Sequence, residues 1–164
     1  MKRRDFLGLT AAAATSLSLS PSRSFAESSG PETTALCDYM SAAKARALPP
    51  DVVEHAKHHI LDTLASMISG SELPPGQAAQ RYVRANAAQG SATVAGTTLT
   101  ASPVEAALAN GVMAHADETD DSHSPSRSHP GSSTIPAALA LGEHLGIDGA
   151  HFLRAVTLGY DVGT

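Results

Sequence analysis

The sequence predicts an all-α, multi-helix bundle-like domain. Three observations carry this: apolar residues recur at helical spacing through most of the chain, helix start and stop signals punctuate it, and one short segment alone reads as strand. Aromatic residues make up only 4% of 164 residues and tryptophan is absent, so packing must rest on Ala, Leu, Val and Met.

The elements follow in order. A first helix is predicted over Thr34–Ala47, with Leu36, Tyr39, Met40 and Ala43 on one face and Pro49-Pro50 stopping it. Cys37 lies on that face and is expected to be a buried spectator thiol; a lone cysteine builds no disulfide framework. Asp51 and Glu54 read as a capping box opening a second helix that runs to about Ser69, before Gly70. Val52, Ala56, His59, Ile60, Thr63, Leu64, Met67 and Ile68 form its predicted face. Leu73-Pro74-Pro75-Gly76 reads as a turn, and a third helix is expected over roughly Gln77–Ala88. Gly90 to Thr98 is strand-like, as a hairpin or an extended link.

Ser102-Pro103-Val104-Glu105 is a strong helix start: a serine cap, proline at the first position, glutamate at the third. The fourth helix is predicted to run to about Ala116; its alanines permit close backbone approach and suit a central, buried position. A fifth helix is expected from Thr134 or Pro136 to Leu145, closed by Gly146. Asp148 caps a sixth, with Phe152, Val156 and Leu158 apolar. Helices joined by short links pack as layers around one core.

Residues 1–26 stand apart from this domain. They have a basic start, an apolar stretch too short and serine-rich for a membrane span, and small residues at Ser24 and Ala26. Arg3-Arg4 followed by Asp5-Phe6-Leu7 resembles a twin-arginine export signal. Export through the twin-arginine machinery to a periplasm or the exterior is therefore expected, with no stable membrane insertion. Residues 27–33 read as a flexible lead-in, and 34–164 as the helical domain. The closing helical pattern His151 to Thr164 suggests that the domain continues further.

The whole chain has a formal charge of −5. Residues 1–26 hold four of the eleven Lys/Arg and one of the sixteen Asp/Glu, which leaves 7 bases against 15 acids, or −8, in the remainder. Nucleic-acid binding, which needs clustered bases, is thereby disfavoured. The sequence holds no GxGxxG, P-loop, CxxC, HExxH or serine elbow.

The chemistry concentrates in Asn110–Gly131, which places four acids and three histidines within 22 positions. Like charges as crowded as Asp117, Glu118, Asp120 and Asp121 raise one another's pKa unless donors compensate. His115 sits near the end of the fourth helix, and His123 and His129 flank a Ser/Pro/Arg loop. The next helix N-terminus offers free N–H groups to a carboxylate, with Ser132, Ser133 or Thr134 as further donors. Three readings compete: an acid–base active-site loop for an organic acid, a metal site, and a solvated acidic loop. The spacing of His115, Asp120, Asp121, His123 and His129 matches no rigid metal motif. His55, His58, His59, His144 and His151 read as surface or packing residues.

Asn110-Gly111, His115, Asp120-Asp121-Ser122-His123, His129-Pro130-Gly131 and Pro136 through Glu143 resemble the signature of the MmgE/PrpD family. Leu61 to Ala65 and Gly159-Tyr160-Asp161-Val162 fit the same pattern, so the resemblance covers roughly residues 34–164. This family includes 2-methylcitrate dehydratase and cis-aconitate decarboxylase. The resemblance implies a helical domain built from N- and C-terminal parts, with an α/β lid inserted and the active site between them. It implies a homodimer, no metal or organic cofactor, and a small di- or tricarboxylate substrate that is dehydrated, decarboxylated or epimerised.

Carried over by residue, His129 matches the family's proton-transferring histidine, and Ser122 replaces a pocket threonine while keeping its hydroxyl. Asp120 and Asp121 match the paired aspartates, with His123 beside them in the substrate-binding set. Glu118 stands where a pocket aspartate is usual, with the same charge on a longer arm. It is the second catalytic candidate, as acid, base or orienter. The basic pocket residues are expected beyond Thr164, so residues 1–164 alone are expected to be inactive. The runner-up class is an exported, non-catalytic protein that binds a small carboxylate, and a structural helical module is third.

Overall fold

A computed structural model describes residues 30–86 and 90–164. The export-signal reading of residues 1–26 lies outside the described residues. Six helices and one two-stranded hairpin are described: α1 (Pro31–Ala43), α2 (Pro50–Ser71), α3 (Pro74–Asn86), β1 (Ala92–Thr93), β2 (Thr100–Ala101), α4 (Pro103–Ala114), α5 (Gly131–Leu145) and α6 (Gly149–Gly163). The predicted all-α class holds.

Helix α4 is the hub, packing against α2, α3 and α5. Its small residues allow this: Ala106, Ala109 and Ala114 are buried with Met113. They join two apolar clusters. One gathers Val83, Ala92, Val94, Ala101, Ala106, Ala109, Met113 and Ala140. The other gathers Met67, Ala114, Ile135 and Val156. The hairpin pairs Ala92 with Ala101 and Thr93 with Thr100, antiparallel. Buried Asn110 ties it to α4: its Oδ1 accepts from the Ala95 N–H at 2.8 Å and its Nδ2 donates to the Thr93 carbonyl at 2.9 Å. Thr93 N–H also donates to Glu143 Oε2 at 2.6 Å, fastening the hairpin to α5.

Local signals set several boundaries as expected. Ser102 Oγ accepts from the Glu105 N–H and starts α4. Gly146 closes α5 at φ 64°, the left-handed conformation glycine adopts without a Cβ penalty. Asp148 Oδ1 accepts from the His151 N–H at 2.7 Å and caps α6.

Five expectations need correction. Helix α1 begins at Pro31, so residues 31–33 of the predicted lead-in are helical, and it ends at Ala43. No residue of α1 is buried and Cys37 is exposed, because α1 rests mainly on α6, through Tyr39 Oη donating to Asp161 Oδ2 at 2.6 Å. Asp51 caps nothing: Pro50 already occupies the first helical position, which places Asp51 inside α2. Pro74 and Pro75 form the first turn of α3 rather than a loop, since the missing proline N–H groups cost nothing there. Ile68 is exposed, because α2 buries Thr63, Ser66, Met67 and Gly70 instead.

Candidate active site

The fifth helix starts at Gly131, earlier than either expected position, and Pro136 lies inside it. The cause is long-range. Asp121 Oδ1 accepts from the Gly131 N–H at 2.9 Å, so the protein's own carboxylate fills the anion position at this helix start. The Ser132 and Ser133 hydroxyls donate back to the carbonyls of His129 and Pro130. Asp121 does more: its Oδ2 accepts from Tyr160 Oη at 2.6 Å and lies 3.0 Å from His59 Nδ1. One carboxylate thus joins α2, the loop, α5 and α6. Gly131 fits beneath it because a Cβ there would meet Asp121 Oδ1 and Thr63 Oγ1, each at 2.5 Å.

Asp120 points the other way, into a histidine pair. Helix α4 ends at Ala114, with His115 at its C-cap. His115 Nδ1 lies 3.1 Å from both oxygens of Asp120, and His129 Nδ1 lies 3.4 Å from Oδ1. The two rings meet edge to face with centroids 5.0 Å apart. The Asp120 side chain is fully buried, whereas those of His115 and His129 are 50% and 39% exposed. A buried carboxylate needs such partners. It fixes the orientation of both rings and leaves their far edges open to a ligand.

The loop between them is braced by Asp117. Its Oδ1 accepts from the Thr119 N–H and hydroxyl, and its Oδ2 accepts from Ser69 Oγ at 2.5 Å. The Ser69 hydroxyl first, then that of Thr119, holds the Asp117 carboxyl below the ordinary aspartate value. Glu118 follows at φ 56°, a left-handed conformation unusual for a residue with a long side chain. It is exposed and makes no side-chain hydrogen bond among the described residues. Ser122 is likewise exposed. His123 closes the turn that follows: its backbone pairs with Ser128 and its Nδ1 lies 2.7 Å from Ser126 Oγ.

The sequence-predicted residues therefore separate. Asp120 and His129 come together, joined by His115. Asp121 faces His59 and Tyr160, and His123 is engaged within its own turn. His59, expected as a packing residue, is the main omission. Its signal was faint: it shares a helical face with Thr63, one turn on, but the Asp121 partner is 62 residues away in sequence. Among the described residues, His115, Asp120 and His129 also form a group able to hold a metal ion.

Tyr160 yields a prediction. Burial, then its bond to the Asp121 carboxylate, holds the phenol well above its ordinary value of 10.0. A raised folded-state pKa gives stability that is complete below the unfolded value and is lost as pH rises through the folded one. Tyr160→Phe is expected to cost about 1–2 kcal/mol near neutrality, the worth of a hydrogen bond to a charged group at a half-buried site. It should also flatten the alkaline loss of stability above about pH 10. Thermal melts of both proteins from pH 7 to beyond 10 test this.

The fold and the paired histidines on a buried aspartate define a helical domain carrying a histidine–aspartate loop at the junction of α4 and α5. Residues 34–164 match the model of the MmgE/PrpD N-terminal domain, and the chain belongs to this family. It is similar to the cis-aconitate decarboxylase-like protein oryM of Aspergillus oryzae, 31% identical over 141 residues, covering 82% of this chain and 29% of the relative. A cis-aconitate decarboxylase of Aspergillus terreus is 32% identical over 139 residues, covering 80% and 28%. A human cis-aconitate decarboxylase is 31% identical over 116 residues, covering 68% and 24%. The chain spans under a third of the length of the curated relatives it matches.

Proposed function

We propose that the protein is a lyase that decarboxylates or dehydrates a small di- or tricarboxylate by proton transfer. The observation that carries this is the histidine pair on Asp120. A histidine's ordinary pKa lies near neutrality, so it exchanges protons readily at physiological pH. His129 is positioned on one side by the buried Asp120 carboxylate and open on the other. The family and the decarboxylase names of its relatives support this reaction class.

The roles divide as follows. His129 carries the proton. Asp120 and Asp121, each with its oxygens engaged inside the protein, hold the loop rather than the substrate. Ser122 offers a free hydroxyl at the loop surface. Glu118, held outward in a left-handed conformation, is the second acid–base group. Decarboxylation and dehydration both build carbanion-like charge, which positive or hydrogen-bonding groups must stabilise. The four acids of this loop cannot supply that; Arg127, the histidines and the Ser122 hydroxyl are the groups in the loop sequence that could. Assembly as a homodimer and export through the signal at residues 1–26 belong to the same proposal.

The test is turnover by the full-length protein. Cis-aconitate and 2-methylcitrate are offered separately, with carbon dioxide release and alkene formation followed. Either product supports a lyase. Saturable binding of these acids without any product would favour the carboxylate-binding alternative.

A further inference from the structure

We propose that His115, Asp120 and His129 form a three-ligand site for a zinc-class divalent cation, and that cation occupancy excludes His129 from proton transfer. The second half rests on the proton-carrier reading above; the first stands on geometry alone.

Ligand atoms around a tetrahedral zinc ion, with bonds of about 2.0–2.2 Å, stand about 3.3–3.6 Å apart. His115 Nδ1 stands 3.1 Å from either Asp120 oxygen, and His129 Nδ1 stands 3.4 Å from Oδ1. One ligand atom from each of the three residues falls within 4.8 Å of the other two. An ion can therefore replace the protons between these groups with side-chain adjustments alone. His115 caps α4 and His129 lies one residue before Pro130, the N-cap of α5; the two helices pack on each other, so both histidines are held next to rigid elements. The half-exposed histidines leave the fourth position open to water.

The donor set selects the cation. Two imidazoles and one carboxylate suit zinc and its first-row neighbours, whereas magnesium and calcium prefer oxygen donors. Asp117, Glu118 and Asp121 add negative charge around the site, with Arg127 the nearby cation in the loop sequence. Metal binding requires the coordinating ring nitrogen unprotonated, so an ion on His129 Nδ1 leaves the ring's one proton on Nε2, and the open edge then has no lone pair with which to act as a base.

The test uses the full-length protein, first stripped with a chelator. Zinc is titrated calorimetrically and cobalt by its visible four-coordinate absorption, with magnesium as the hard-cation control. The site predicts one zinc or cobalt per chain and no comparable uptake of magnesium. His115→Ala and Asp120→Asn should each weaken zinc binding by at least roughly tenfold, since even indirect partners of a metal are worth about 10–100-fold in affinity. Thermal melts verify folding, and His115→Gln serves if the alanine variant does not fold. Absence of stoichiometric zinc binding, or binding that all these variants retain, overturns the site. Turnover should fall with the same zinc dependence as binding. Zinc bound at these residues with turnover unchanged would overturn the exclusion claim. A metal-free protein that binds zinc as described yet turns over no substrate would leave the site standing and count against the lyase reading instead.

Discussion

His129→Ala is expected to lower turnover of the full-length protein by about 10²–10⁴-fold, the usual contribution of a positioned acid–base group. Several features make the expectation large. Asp120 is fully buried and holds His129 in place, so no solvent molecule inherits its geometry. The neighbouring ring of His115 is fixed on the same carboxylate, but its Nδ1 is committed to both oxygens at 3.1 Å. His115→Ala measured beside His129→Ala shows whether that second ring, also open at its far edge, shares the role. His129 is itself 39% exposed, so its removal opens no core cavity, and His115 still partners the buried Asp120, so thermal stability should fall by only about 1–2 kcal/mol. A large kinetic loss with a small stability loss separates chemistry from folding. The check is kcat and KM beside a thermal melt.

Gly70→Ala should produce the largest structural effect. Here α2 crosses α4 so closely that a Cβ on Gly70 would strike the Met113 carbonyl oxygen and approach its carbon at 2.8 Å. Both atoms are backbone and cannot turn aside. The next helix is involved as well, since a Cβ on Gly76 would strike the Gly70 carbonyl oxygen. Alanine otherwise favours a helix over glycine by about 1 kcal/mol. Overpacking a tight contact costs about 1–3 kcal/mol and more where backbone must move. The clash wins, and a net loss of about 2–3 kcal/mol is expected. Gly149→Ala is the matched control: open space surrounds that position and the change should be close to neutral. Melting temperatures of the two variants decide. Equal stability of Gly70→Ala and wild type would contradict the crossing geometry.

The crossing also shows where sequence reasoning reaches its limit. Caps at Ser102 and Asp148 and the glycine stop at Gly146 were legible because each is a contact between residues three or four apart. Alanines on α4 likewise announced close packing. The buried face of α2 was legible only in part: Ala56, Thr63 and Met67 are buried as expected, but Ser66 and Gly70 are buried through small size rather than apolarity. Ile68, the more hydrophobic residue, is left outside. The start of α5 was hidden for another reason: its capping carboxylate, Asp121, comes from ten residues upstream rather than from the preceding position.

The candidate site followed the same division. Its location within residues 110–131 was visible in the density of acids and histidines. The division of labour was not, since Asp120 and Asp121 are adjacent and chemically identical. Successive side chains in this loop point to opposite sides, one to His115 and His129, the other to His59 and Tyr160. Only the fold could separate the two, because His59 and Tyr160 arrive from α2 and α6.

The central claim is that His129 moves a proton at carbon. Turnover in deuterium oxide, followed by proton NMR of the substrate and product carbons, tests it most directly. Solvent deuterium should enter the product at the carbon that takes up a proton when carbon dioxide leaves, or the substrate at the carbon that loses a proton before dehydration. In His129→Ala, with substrate at saturating concentration, that incorporation should slow by at least about 10²-fold. Incorporation at the wild-type rate in the variant would contradict the account.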